Sequence, residues 1–100
     1  MLTDYALQSL AKSLDELIVS ADYRISGQNY PAELRRSIVQ GTTVRKHVYL
    51  TQKDPVGTVD RVRLLDKDGK VVAIRSDAQI HRKDQGLLYE FRWTIRELIE

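Results

Sequence analysis

Leu87-Leu88-Tyr89-Glu90-Phe91-Arg92-Trp93-Thr94-Ile95-Arg96 is the run that decides the fold. Leu87, Tyr89, Phe91, Trp93 and Ile95 alternate with Leu88, Glu90, Arg92, Thr94 and Arg96. That period of two puts one face of a strand in a core and the other in water. Three aromatic rings on the apolar face make 87–96 the main core strand. An apolar stripe needs a cover, and the N-terminal segment offers one. Leu7, Leu10, Leu14, Leu17, Ile18 and Ala21 recur at three-and-four spacing, which predicts a helix over about 4–21. Thr3 or Asp4 suits its cap, and Gln8, Lys12, Asp15 and Glu16 fall on a solvated face. Joining the two stripes predicts an α+β fold: an N-terminal helix packed across Tyr89, Phe91 and Trp93 of a mostly antiparallel sheet or small β-sandwich.

The remaining strands follow from turn chemistry. Asp66-Lys67-Asp68-Gly69-Lys70 reads as a type I turn with Gly69 in the left-handed position, pairing strands over 58–65 and 71–76. Thr43–Thr51 alternates, with Val44, Val48 and Leu50 inward and Thr43, Arg45, His47, Tyr49 and Thr51 outward. Lys46 interrupts the inward set, which suggests an edge strand or a snorkelling stem. Residues 31–40 read either way. Pro31-Ala32-Glu33 resembles a helix start, whereas Ile38-Val39 before Gln40-Gly41-Thr42 suits a strand over about 34–40, the favoured reading. Tyr23 to Pro31 and Asp77 to Gly86 read as connections.

The chain has 100 residues, 42% hydrophobic and 30% charged, the size and balance of one domain spanning 1–100. Without cysteine, disulfides, thiolate metal sites and thiol nucleophiles are excluded. Met1-Leu2-Thr3-Asp4 lacks the basic start of a secretory signal, and no run of apolar residues is long enough to span a bilayer. A soluble protein of the bacterial cytoplasm or of a virion is expected. The net charge of +2 is uneven: residues 1–34 carry −3 and residues 35–100 carry +5. An acidic helix beside a basic sheet accounts for this, and so would assembly through opposite patches.

Motifs for chemistry fail one by one. A calcium loop with Gly69 at its sixth position would begin at Leu64, which cannot ligate; begun at Asp66, its sixth residue is Val71. His47 and His81 lie among bases and lack the acids or thiolates of a zinc site, so both are expected on the surface. No G-x-S-x-G elbow and no glycine-rich phosphate cradle occur. The expectation is a non-enzyme with no catalytic residue, metal, cofactor or small-molecule substrate.

Basic residues are the remaining signal. Arg61 and Arg63 share one side of their strand, Arg92 and Arg96 one side of theirs, and Arg45 and Tyr49 one side of a third. With Arg35-Arg36, Lys46, Arg75 and Arg82-Lys83 they could form a basic sheet face on which Tyr49 stacks a base. The candidate interaction residues are therefore Arg61, Arg63, Arg92, Arg96, Tyr49 and Arg45.

The layout resembles small structural-module proteins, tail- or baseplate-associated, of tailed phages and prophages of Gram-positive bacteria. The likeness lies in the short leucine-rich helix, the strand at Gln40-Gly41-Thr42-Thr43-Val44 and the hairpin Val62-Arg63-Leu64-Leu65-Asp66-Lys67-Asp68-Gly69-Lys70-Val71-Val72. It implies a non-enzymatic assembly or docking protein with protein partners or self-assembly, and no catalytic residues. The alternative is a nucleic-acid-binding accessory protein using the basic face.

Overall fold

The computed structural model describes residues 1–98. One helix, α1 (Asp4–Leu17), precedes seven strands: β1 (Ser20–Ile25), β2 (Gln28–Gln40), β3 (Thr43–Leu50), β4 (Gly57–Leu65), β5 (Val71–Arg75), β6 (Gln79–His81) and β7 (Leu87–Thr94). All pairings are antiparallel, in the order β5-β4-β1-β2-β3-β7, with β6 also on β4. The α+β expectation holds.

Thr3 caps α1, its side chain accepting a hydrogen bond from the Ala6 amide at 3.2 Å. The helix stops at Leu17 and does not run to residue 21. Ile18 is already extended, and the Val19 amide donates to the Leu65 carbonyl at 2.9 Å, so β4 captures the β-branched pair for the sheet. Tyr23 to Pro31, expected to be a connection, instead holds the end of β1, a tight turn and the start of β2. Ala21, Tyr23 and Ile25 point inward, and Ser26-Gly27, both at positive φ (51° and 77°), close a two-residue hairpin onto β2.

The strand expected over 34–40 runs from 28 to 40. Its first half pairs β1 and its second half pairs β3, so β2 joins the two halves of the sheet. At ~3.3 Å per residue it is about 43 Å long, close to the 49 Å long axis of the molecule. Pro31 is tolerated because β3 pairing begins only at Glu33. Residues 77–86, expected to be irregular, contain β6. The other strands match to within two residues, β7 ending at Thr94 although the Ile95 amide still donates to the Thr42 carbonyl.

The sheet curls around its core of Tyr23, Val48, Leu50, Val59, Val62, Leu64, Tyr89 and Phe91. The two ends of the strand order meet: Arg75 of β5 lies 5.3 Å over the Tyr89 ring of β7 and donates to the Glu90 carbonyl at 3.2 Å. Burial pushes the Tyr23 and Tyr89 hydroxyls up to about 12, with Asp54 and Tyr30 adding at Tyr23 and Asp77 adding at Tyr89 against Arg75.

The helix lies against β2 and β3, a shift from the expected cover over the β7 aromatics. Ala11 and Ile18 are buried and Leu14 packs on the core, whereas Leu10 and Leu17 stay about half exposed. Asp15 is not merely solvated, and Lys46 does not snorkel from an edge. β3 is interior, between β2 and β7, and Lys46 is only 2% exposed. Its ammonium donates to the Asp15 carbonyl (2.9 Å) and the Ser37 hydroxyl (2.8 Å). It also sits 2.7 Å from Asp15 Oδ1, a charge contact without hydrogen-bond alignment.

His81 is likewise buried, not on the surface. Its Nδ1 faces the Pro55 carbonyl at 2.8 Å and its Nε2 the Gln85 carbonyl at 2.7 Å, which ties β6 to both neighbouring loops. The Asp66 turn is as expected. Gly69 has φ 77°, and the Asp66 carboxylate accepts from the amides of Asp68 and Lys70, each at 2.9 Å.

Candidate functional site

The curled sheet has two solvent-facing sides, and they differ in what their arginines do. On β1 and β4 the bases are engaged. Arg63 makes a bidentate pair with Asp22 (2.9 and 2.5 Å), Arg24 one with Asp60 (2.8 and 3.2 Å), and Arg61 donates to Asn29 at 2.7 Å. The side-chain bonds hold Asp60 below the usual carboxylate range and raise the Arg24 and Arg63 guanidinium values. Arg75 does the same to Asp77 at the sheet end.

The outer face of β2–β3–β7 is built as four rungs. They are Glu33-Tyr49-Leu88, Arg36-His47-Glu90, Ile38-Arg45-Arg92 and Gln40-Thr43-Thr94. His47 Nε2 meets Glu90 at 3.1 Å, and the Thr43 and Thr94 hydroxyls meet at 3.1 Å. Arg45 and Arg92 stand directly opposite each other, a like-charge pairing that costs stability in a sheet. Among the described residues no ion pair or side-chain hydrogen bond engages Arg35, Arg36, Arg45 or Arg92.

A β-bulge between Leu34 and Arg36 makes Arg35 the extra residue. Bulges re-aim side chains, and this one brings two consecutive arginines to the same side. The Arg35 guanidinium lies 4.2 Å from the centroid of the Tyr49 ring. At the hydroxyl end of that ring is Gly86. A Cβ there would fall on the Tyr49 hydroxyl and within 2.6 Å of its Cζ, so Tyr49 keeps its place because residue 86 has no side chain. Arg35, Arg36, His47, Tyr49 and Leu88 line a concavity of about 520 Å³.

The structure thus splits the sequence candidates. Arg45, Tyr49 and Arg92 share one face. Arg61 and Arg63 lie on the other half of the sheet, Arg63 neutralised by Asp22 and Arg61 hydrogen-bonded to Asn29. Arg96 is exposed beyond the end of β7, outside the rungs. Sequence reasoning leaves Arg35 and Arg36 in the wider basic set and misses His47 and Leu88. The bulge is what unites them, and no turn residue or proline marks it in the sequence. Among the described residues no three His, Asp or Glu side chains cluster as a metal site would need, and no helix is long and apolar enough to cross a membrane.

No family model matches the chain, and no curated protein or solved structure matches it.

Proposed function

We propose that the protein is a non-enzymatic nucleic-acid-binding module that uses the outer face of β2–β3–β7. The observation that carries this is the contrast between the two halves of the sheet. Arg24 and Arg63 on β1–β4 are paired with acids and Arg61 with an amide, while Arg35 and Arg36 line an aromatic concavity and, like Arg45 and Arg92 on the same face, have no acid partner among the described residues. Glu33 and Glu90 are the acids on that face, and Glu90 is turned to His47. A like-charge rung such as Arg45–Arg92 is relieved by phosphates lying across it. The concavity offers no serine, thiol or carboxylate pair, which supports binding over catalysis. The test is anisotropy of a labelled single strand across a salt series. Neutralising four phosphates gives a log K against log salt slope of about −3. A flat salt dependence, or no binding at low salt, overturns the reading.

A second reading, assembly or docking within a phage or prophage particle, is favoured by the half-exposed Leu10 and Leu17 on α1. These suit a protein partner or a second copy of the chain. Concentration-independent monomer mass in light scattering, unchanged by Leu10→Ser with Leu17→Ser, would count against self-assembly.

A further inference from the structure

We infer that the Arg35–Tyr49 stack is the seat of one unpaired base, so that the ligand is a single strand read by stacking. This rests on the reading of β2–β3–β7 as the nucleic-acid face and names how that face holds its ligand. Bases stack on aromatic rings and equally on guanidinium planes. Here the two are already combined. The guanidinium covers Tyr49 at 4.2 Å, Gly86 closes on the hydroxyl end of the ring, and Arg35 is exposed. A base laid on Arg35 extends the column by one layer.

Leu88, opposite Tyr49 on β7 and about half exposed, supplies the apolar flank. Arg36 lies one rung away and Arg45 with Arg92 two rungs away, which sets phosphate sites about 7 and 13 Å along the strand direction. A base in a duplex is covered by its neighbours and cannot enter a concavity on a sheet face, so the strand must be single. Stacking on a guanidinium or ring plane is open to every base, so the seat is tolerant of sequence.

The experiment compares a short oligothymidylate with an abasic strand of equal length and charge, and with oligouridylate. The base-bearing strands bind about tenfold tighter than the abasic one, the worth of one stacked base. Arg35→Lys keeps the charge but removes the plane. It brings the thymidylate affinity down to the abasic level. Gly86→Ala, which displaces Tyr49 without touching a charge, does the same. Thermal midpoints of both variants establish that they are folded. Equal binding of thymidylate and abasic strands by the unaltered protein overturns the base seat while the phosphate-binding reading stands. Absence of binding by either strand overturns both. Equal thymidylate and uridylate affinities place the recognition in the base; a uridylate-only gain places it on the 2′-hydroxyl and overturns the stack.

Discussion

Lys46 carries a charge into the core and is held there by three oxygens from two other elements. Asp15 supplies a carbonyl and a carboxylate, and Ser37 a hydroxyl. Removing one partner of a buried pair leaves the other charge uncompensated, which costs more than the intact pair contributes. Asp15→Ala is therefore expected to destabilise the protein by about 3 kcal/mol. Lys46→Met, which removes the buried charge itself, is expected to cost about 1 kcal/mol or less. Urea denaturation of the two variants checks this order, and a Lys46→Met loss larger than that of Asp15→Ala would contradict it. The same residue shows why a sequence reading stops short. A lysine at an inward strand position looks like an edge signal until the helix that buries it is placed.

At the scale of elements, the features that match the structure are ones with a local pattern. The Leu87–Thr94 alternation, the Thr43–Leu50 strand and the Asp66 turn carry their own patterns of period and turn residue. The misplacements share a cause. Ile18 to Ala21 keeps helical spacing in the sequence, but the Val19 amide and Ser20 find partners on β4, more than forty residues away. The candidate site was half legible for the same reason. Strand parity placed Arg45 and Tyr49 together, but the partner strands and the Arg35 bulge depend on non-local register. The hairpin, being local, can be tested alone. Asp66→Ala removes the acceptor of the Asp68 and Lys70 amides and is expected to cost about 1–2 kcal/mol, with the denaturant slope unchanged. A loss below about 0.3 kcal/mol would mean that the turn needs only Gly69.

At the scale of the whole molecule, β2 divides one curled sheet into a half whose arginines are tied to side-chain partners and a half where Arg36, Arg45 and Arg92 have none among the described residues. Stability and binding should then separate by side. Arg63→Gln leaves Asp22, which is 14% exposed, without its bidentate partner. It is expected to cost about 1–2 kcal/mol after allowance for solvent screening, with single-strand affinity and its salt slope nearly unchanged. Arg92→Gln relieves a like-charge contact with Arg45 and is expected to leave stability unchanged or raise it by a few tenths of a kcal/mol. Its effect falls on binding, with the salt slope shallower by about 0.7, one phosphate contact on a single strand. Thermal melts and salt-series anisotropy on the two variants give four readouts from one pair of proteins. If Arg63→Gln flattened the salt slope while Arg92→Gln left it intact, the binding face would lie on β1–β4, and the division of labour across β2 would be reversed.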